Sequence, residues 1–311
     1  MNIAIEPGTY VVAVSGGVDS MALLHLLAQK AKNQKSPAAT NTANTDKSYR
    51  FVVAHFDHGI RGDSHIDRKL VQDVAKKYNL PFVHNRGFLG SDASEDQARR
   101  ARYDFLHQVK EASAARGIIT AHHQDDWLET AILQLIRGTQ RLGVTSIAHN
   151  THIRRPLLDV PKQQIKKYAK DQGLTWREDS TNQDLRYKRN YVRHKLVKKM
   201  SLADHERLLM HTRHLQHLNQ EIDSLLLAQL LNQPAVDELD RQWFLSLDHI
   251  VAREFMAAWL RRNQIKGFDK KLIEQLVIRA KTLRPGQKTS ITRVYFLQIN
   301  QDNLKIISSH K

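Results

Sequence analysis

The chain of 311 residues contains no cysteine. Disulfide bonds, zinc–thiolate sites, iron–sulfur clusters and thiol nucleophiles are therefore excluded. The sequence also has no apolar run close to the roughly 20 residues that a transmembrane helix needs. Residues 1–6 have neither the basic nor the apolar region of a signal peptide, so we expect a cytoplasmic protein.

The net positive charge is concentrated in the second half of the chain. Residues 1–150 carry 18 Lys and Arg against 15 Asp and Glu, or +3, whereas residues 151–311 carry 30 against 17, or +13. Because Lys and Arg that neutralise phosphates release counterions, this asymmetry favours a polyanionic partner. A general contribution of the charge to solubility is the alternative.

Strand-like apolar runs alternate with helical patterns in the first half. This order predicts an α/β fold with a doubly wound, mostly parallel sheet. Residues 33–48, rich in Asn, Ala, Thr and Lys, interrupt the first crossover, and we expect a flexible surface insertion there. The predicted strands are residues 10–14, 51–56, 81–84 and 117–121.

We place a domain boundary near residue 200. It separates a catalytic domain, residues 1–200, from a mainly helical α/β accessory domain, residues 201–311. In the second domain we predict helices over 202–231, 252–262 and 271–281 and two strands within 289–308. Three histidines of the long helix have a spacing that suits a metal, but a solvated polar face is favoured; they are His211, His214 and His217.

Residues 11–27 predict a buried strand, a tight glycine turn and the start of a helix. Gly16 and Gly17 allow positive φ and close approach to the main chain, while Ser15, Asp19 and Ser20 bring polar atoms to the first helical turn. Such a turn points backbone N–H groups at an anion of phosphate size. It is not a Walker A loop, because the second glycine and the lysine of that pattern are missing. A serine-capped turn that binds nothing is the alternative.

Polar side chains follow the fourth predicted strand. Asp126 and Glu129 share one helix face, and His122 lies one turn earlier. Ligands collect at the carboxyl ends of parallel strands, where two carboxylates beside a triphosphate suit Mg²⁺ or an ammonium group. Carboxylates that only complement the helix dipole are the alternative. Arg102 is one of several arginines near the start of another predicted helix, where positive charge opposes the helix dipole. These arginines indicate either a phosphate contact or a solvated face.

Residues 186–199 contain seven Lys and Arg and no acidic residue. Arg189 and Arg193 are helical neighbours, as are Tyr187 and Tyr191, so guanidinium groups and aromatic rings alternate. Phosphates and unstacked bases both bind to such surfaces. A solvated basic helix is the alternative.

Two levels of family resemblance follow from these residues. SGGVDS at residues 15–20 resembles the PP-loop of the N-type ATP pyrophosphatase superfamily, whose members cleave ATP between its α and β phosphates and activate a substrate as its adenylate. The ordered motifs between about residues 10 and 200 resemble the bacterial tRNA(Ile)-lysidine synthase family. They are SGGVDS, Asp57-His58-Gly59-x-Arg61, Glu95-x-x-Ala98-Arg99-x-x-Arg102-Tyr103, His122-x-x-x-Asp126-x-x-Glu129-Thr130, Arg137-Gly138, Arg155-Pro156-Leu157-Leu158, Trp176-x-Glu178-Asp179-Ser180-Thr181-Asn182 and Arg189-Asn190-x-x-Arg193-His194.

The resemblance implies a Rossmann-like PP-loop fold and a two-step reaction on tRNA(Ile) with a CAU anticodon. The carbonyl oxygen of the wobble cytidine first attacks the α-phosphate of ATP, and diphosphate leaves. The ε-amine of free L-lysine then attacks carbon 2 and expels AMP, which gives lysidine and allows AUA to be read as isoleucine. ATP is the co-substrate, Mg²⁺ the expected metal, and a homodimer one of the oligomeric states left open. The missing cysteines separate the chain from thiolating and glutamine-dependent relatives. The resemblance weakens after residue 200, where longer members carry a further domain.

Residue roles are also implied by the resemblance. Arg102 and His122 would neutralise charge at the α-phosphate. Asp126 and Glu129 would hold Mg²⁺ or orient and deprotonate the incoming lysine. ATP would be bound by Ser15, Gly16, Gly17, Val18, Asp19 and Ser20, with Asp19 near the metal or the diphosphate. Contacts to ATP or the tRNA backbone are expected from Arg189, Arg193, His194, Lys195, Lys198 and Lys199.

Overall fold

A parallel sheet organises the first part of the chain. The computed structural model describes residues 1–34, 48–59, 63–87, 95–139, 141–148, 152–178 and 187–309. Within these ranges the strands pair in the order β3-β2-β1-β4-β5, and every pairing is parallel. Their bounds are Gly8–Ala13 (β1), Tyr49–Asp57 (β2), Phe82–Arg86 (β3), Gly117–Ile119 (β4) and Ile153–Arg154 (β5). The predicted α/β class with a parallel sheet is confirmed, and β5 is a strand that the sequence did not predict.

Both faces of the sheet are buried at its central strands β1 and β4, which makes it doubly wound. Tyr10 and Val12 of β1 pack into one apolar cluster, while Val11 between them packs into another. Successive side chains of a strand point to opposite faces, so this continuous apolar run supplies two cores. Helices cover the two faces, α1 and α6 on one and α3 on the other. These helices span Val18–Gln34 (α1), Lys162–Asp171 (α6) and Glu95–Ala112 (α3).

The strand order creates a switch point between β1 and β4. The chain passes from β1 to β2 and β3 on one side, then returns to β4 and β5 on the other. Crevices at such points, outside the carboxyl ends of the strands, are where ligands bind in open α/β sheets. The remaining helices of this part are α2 (Ser64–Lys77), α4 (Gln124–Ile136), α5 (Arg141–Val144) and α7 (Lys188–Tyr191), followed by a π turn, Val192–Leu196, and a 3₁₀ turn, Val197–Lys199.

The second part of the chain has its own sheet and core. Four antiparallel strands of the described segment pair in the order β6-β9-β8-β7. Trp259, Phe244 and Phe255 are among the fully buried side chains of this core. The elements are α8 (Leu202–Leu231), β6 (Glu238–Asp240), α9 (Arg241–Ser246), α10 (His249–Arg262), α11 (Lys270–Thr282), β7 (Lys288–Ser290), β8 (Tyr295–Ile299) and β9 (Asn303–Ser308).

The long helix α8 has the bounds that its periodicity predicts. Two compact units, Met1–Leu215 and Gln216–Lys311, divide within this helix. The domain boundary near residue 200 stays a prediction. His211, His214 and His217 are exposed on α8, and no group of three potential metal-ligating side chains occurs in the described ranges.

Several predictions concern residues outside the described ranges. They are most of the insertion, residues 35–47, together with Arg61, Arg186 and the motif residues 179–182. No helix in the described part of the chain is both long and apolar enough to cross a membrane.

Candidate active site

The glycine turn connects β1 to α1 at the switch point. Gly16 has φ +93°, a conformation that strains any residue with a Cβ, whereas Gly17 does not take positive φ. The two serines brace the turn: Ser20 Oγ donates to the Gly17 carbonyl at 2.9 Å and lies 3.2 Å from Ser15 Oγ. The first amides of a helix have no partner within the helix, so the start of α1 is the kind of place where an anion would be stabilised.

Asp19, in the first turn of α1, has two unlike carboxylate oxygens. Its Oδ2 accepts a hydrogen bond from Lys162 Nζ and lies 3.7 Å from His123 Nε2. Its Oδ1 is buried and has no hydrogen-bond partner among the described residues. A buried carboxylate oxygen without a partner is costly, so this atom marks a place where a ligand or ion would be stabilised.

The start of α4 lies beside this carboxylate. The backbone N–H of His123 donates to Asp126 Oδ2 at 3.0 Å, which caps the helix. The His123 ring is buried, and its Nε2 lies 3.3 Å from Asp126 Oδ2 as well as near Asp19. His123 therefore bridges the glycine turn and the carboxylate pair of α4.

Two arginines hold the carboxylate pair. Arg193 donates to Glu129 through Nε (2.6 Å) and Nη2 (2.9 Å), and Arg189 Nε donates to the same carboxylate at 3.0 Å. Arg189 Nη2 also donates to Asp126 Oδ1 at 3.1 Å. Glu129 is fully buried, while Asp126 remains slightly exposed. The arginines predicted to contact ATP or tRNA thus lie on the carboxylates predicted to act in catalysis, and their predicted contacts stay predictions.

The pKa values of this cluster follow from burial and ion pairing. Burial alone would raise the pKa of Asp126, but His123, His122, Arg189 and the capping N–H lower it well below its usual range. Burial would lower the pKa values of Arg189 and Arg193, yet the two carboxylates raise both. Asp126 and the two arginines are therefore charged at neutral pH.

His122 is neutral at neutral pH. Burial lowers its pKa from 6.5 to about 3; Asp126 opposes this shift, while Arg155, Arg189 and Arg102 reinforce it. Thr120 Oγ1 lies 2.7 Å from His122 Nδ1 and orients the ring. An uncharged imidazole supports a developing negative charge as a hydrogen-bond donor rather than as a cation.

The predicted magnesium site at the carboxylate pair stays a prediction, and hydrogen-bond donors of the protein already contact both carboxylates. Mg²⁺ needs oxygen ligands with free lone pairs. Both oxygens of Glu129 already accept guanidinium N–H groups, and Asp126 accepts from Arg189 and from the amide of His123. The unpartnered Oδ1 of Asp19 fits a cation better.

The remaining predicted residues lie around this centre. Arg102, on α3, is 5.3 Å from the centroid of the Tyr103 ring and contributes to the low pKa of His122. The π and 3₁₀ turns carry a half-buried His194 and three exposed lysines, Lys195, Lys198 and Lys199.

Sequence reasoning missed three residues near the glycine turn, namely Lys162, His123 and Arg177. The amide of Arg177 donates to the Gly16 carbonyl at 3.0 Å, which brings the segment after α6 against the turn. The sequence around Lys162 could have indicated a role for it, because a lysine in the first turn of a helix opposes the helix dipole. The contact between His123 and Asp19 joins residues more than 100 positions apart and had no local signal.

A doubly wound sheet, a glycine turn at its switch point and a charged cluster at the same edge define an α/β protein of the phosphate-binding class. The chain belongs to the PP-loop domain family, whose model matches residues 4–200.

Individual relatives carry one name, tRNA(Ile)-lysidine synthase. The protein of Lactiplantibacillus plantarum is 31% identical over 307 residues, covering 89% of this chain and 62% of the relative. The protein of Thermotoga sp. strain RQ2 is 36% identical over 201 residues, covering 62% of this chain and 45% of the relative. The protein of Geobacter sulfurreducens is 38% identical over 198 residues, covering 60% of this chain and 39% of the relative. The chain thus spans less than two thirds of the length of these relatives. Among solved structures, the U34-tRNA thiolase NcsA of Methanococcus maripaludis aligns with a TM-score of 0.45 at 15% identity, covering 67% of this chain and 74% of that chain.

Proposed function

We propose that this protein is an ATP-dependent tRNA-modifying ligase that forms lysidine. It adenylates the wobble cytidine of tRNA(Ile) with a CAU anticodon, then joins free L-lysine to carbon 2 with release of AMP. The name shared by the relatives supports this substrate, and the match to the PP-loop family supports ATP as the co-substrate. The whole reaction is part of the proposal, because the chain covers only part of the length of those relatives.

One observation carries the proposal: the glycine turn and the carboxylate pair share an edge of the sheet. Asp19 of the turn and Asp126 of α4 both lie within 4 Å of His123 Nε2, at 3.7 and 3.3 Å. A phosphate held at the turn would therefore lie next to carboxylates able to bind a substrate amine. An anion site beside an amine site is what adenylation followed by aminolysis requires.

Asp126 and Glu129 have different roles in this proposal. Glu129 is fully buried and accepts from both arginines, so it fixes Arg189 and Arg193 in place. Asp126 is slightly exposed, and its weaker contact with Arg193 is 3.5 Å long. We infer that Asp126 is the carboxylate that faces the lysine ammonium, whose ordinary pKa of about 10.4 requires deprotonation before attack.

The α-phosphate gains negative charge as the cytidine oxygen attacks. Arg102 supplies positive charge, and neutral His122 supplies a hydrogen bond with its ring oriented by Thr120. Each well-placed donor of this kind is worth about 3 kcal/mol of transition-state stabilisation. The Mg²⁺ that accompanies ATP would be held by Asp19 through its unpartnered Oδ1, where it would shield phosphate charge.

The exposed lysines Lys195, Lys198 and Lys199, next to His194, are proposed to contact the tRNA backbone. Tyr191 is half exposed on the same segment and offers a ring for an unstacked base.

We further propose that residues 1–200 act as the catalytic domain and residues 201–311 as an accessory tRNA-binding domain. ATP, tRNA and free lysine as substrates favour a cytoplasmic enzyme.

Incubation with ATP, lysine and a CAU-anticodon tRNA, followed by nucleoside mass analysis, tests the proposal. We expect one lysidine at the wobble position and one AMP for each tRNA modified. A tRNA with a GAU anticodon is the matched control and should remain unmodified. AMP release with lysine but without any RNA would instead indicate a small-molecule ligase, and the absence of AMP with every RNA would indicate a non-catalytic RNA-binding protein.

A further inference from the structure

The glycine turn lacks the lysine that phosphate-binding loops of the Walker type carry. In those loops the lysine reaches the β and γ phosphates, while the backbone amides hold the others. SGGVDS at residues 15–20 contains no basic residue. The fold supplies one from elsewhere, because Lys162 approaches the turn from a position 143 residues further along the chain.

Lys162 is the first residue of α6 and donates to Asp19 Oδ2. The side chains are 27% and 24% exposed, respectively, so the ion pair is accessible from solvent rather than enclosed in the core. A ligand phosphate that enters the turn therefore meets the Lys162 ammonium without a rearrangement of the backbone. The lysine stem is flexible enough to move between two oxygen acceptors a few ångströms apart.

The ion pair contributes little to folding. A solvent-accessible lysine–carboxylate pair is worth about 0–1 kcal/mol. A cation in the first turn of a helix opposes the dipole, which costs about 0.3–1 kcal/mol. The pair also leaves Asp19 Oδ1 buried without a partner among the described residues, so it is an incomplete structural bridge. Stability alone does not explain why a lysine is placed here.

We propose that Lys162 is a phosphate-binding residue that takes the place of the missing loop lysine. It pairs with Asp19 in the absence of nucleotide and binds the β and γ phosphates of ATP when nucleotide occupies the turn. As the bond between the α-phosphorus and the bridging oxygen breaks, that oxygen leaves with the diphosphate, and the ammonium stabilises the charge that collects there. This inference rests on the proposed ATP-cleaving function.

Binding measurements on the full chain test the proposal. ATP, inorganic diphosphate and AMP are titrated by calorimetry into the wild type, Lys162→Gln and Lys162→Arg. We expect Lys162→Gln to weaken ATP and diphosphate about tenfold or more, with AMP changed less than about twofold. Lys162→Arg should restore most of the diphosphate affinity. Lys167→Gln, an exposed position on the same helix, is the control and should bind all three as the wild type does.

Two results would overturn the assignment. Unchanged diphosphate affinity in Lys162→Gln removes Lys162 from the phosphate site, and an equal loss of AMP affinity assigns it to loop positioning instead. A measurement on the wild type avoids variants that fail to fold: diphosphate should protect Lys162, but not Lys167, from acetylation detected by mass spectrometry. None of these assays contains tRNA or lysine, so lysidine formation can fail independently of this inference.

Discussion

The guanidinium of Arg193 donates to Glu129 Oε1 at 2.6 Å, and the carboxylate that accepts this bond is fully buried. Arg189 contacts the same carboxylate, so α7 and the π turn that follows it are held on α4 by charge-assisted hydrogen bonds. Both arginines of the basic segment therefore have carboxylate partners within the protein itself. It also makes Glu129 the anchor of the site.

Breaking this pair should destabilise the first unit. Arg193→Gln removes two of the three hydrogen bonds that Glu129 accepts from the arginines. Because Arg189 stays paired with Glu129, the cost should lie below the about 3–5 kcal/mol of a buried charge that loses its partner. Urea unfolding of Arg193→Gln, Glu129→Gln and the double variant should give a strongly non-additive cycle. The exposed pair Arg213–Asp159, whose Nη2 and Oδ1 atoms are 2.7 Å apart, is the control and should couple by less than about 1 kcal/mol. Additive effects at Glu129 would contradict the anchoring role.

His122 predicts a pH dependence of stability. Its pKa is about 3 in the folded chain, against about 6.5 when unfolded. Between these values the unfolded chain binds a proton that the folded chain does not, so the free energy of unfolding falls as the pH drops from 6.5 toward 3. The contribution is at most about 1.4 kcal/mol per pH unit.

His122→Asn should flatten this slope. Denaturant unfolding between pH 6.5 and 4.5 avoids the contribution of Asp126, because the stabilisation by its low pKa is lost only below the ordinary carboxylate pKa of about 3.9. Burial also lowers the pKa values of His25 and His55, which contribute to the slope in both proteins. The other titrating groups cancel in the difference between variant and wild type. Identical slopes would show that His122 is not held neutral.

Gly16→Ala should impair nucleotide binding beyond its effect on folding. The φ of +93° at Gly16 strains any other residue by about 1–3 kcal/mol, and relief of that strain would reorient the amides of the turn. Gly173→Ala is a matched control, since Gly173 has φ +59° with open space around it and lies after α6. Both variants should lose stability in thermal unfolding. ATP affinity should fall only in Gly16→Ala, and an equal fall in both would remove the turn from the nucleotide site.

Asp126→Asn should abolish incorporation of labelled lysine into tRNA while ATP still binds. The substitution preserves size but removes the negative charge proposed to orient the lysine ammonium. Asp125→Asn is the control, since Asp125 faces His205 at 3.6 Å and has no proposed role. Near-normal turnover of Asp126→Asn would remove this carboxylate from the mechanism.

Charge reversal of three lysines should weaken tRNA binding. Replacing Lys195, Lys198 and Lys199 by Glu removes phosphate contacts, so affinity should fall and its dependence on salt should flatten. The control reverses three exposed lysines of α2, Lys69, Lys76 and Lys77, with the same change in net charge. Equal losses in both triple variants, measured by filter binding over a range of salt, would show a general charge effect.

Sequence patterns over short stretches predicted the elements whose structure is determined by residues close together in the chain. The apolar run of β1, the glycine turn and the whole of α8 are encoded over short stretches, and each lies where its pattern placed it. The two-residue strand β5 was missed because it is too short to show alternation.

The parts of the site that sequence did not predict are contacts across the fold. Nothing near Asp19 in the sequence indicates Lys162 or His123, and nothing near Arg189 indicates Glu129. The sequence predicted a contact of Arg189 with ATP or the tRNA backbone, which stays a prediction, and gave no indication of its contacts with Glu129 and Asp126. Ion pairs between residues far apart in the chain cannot be predicted from local sequence patterns.

The dependence of Glu129 on residues 189 and 193 links the site to the order of synthesis. When residues up to 178 have left the ribosome, the five-stranded sheet is complete, but the buried carboxylate still lacks both cations. An unpaired charge of this kind resists burial, so α4 should dock late, after the turns that carry the arginines emerge. A nascent chain would therefore complete this charged cluster only after most of its first unit is already made.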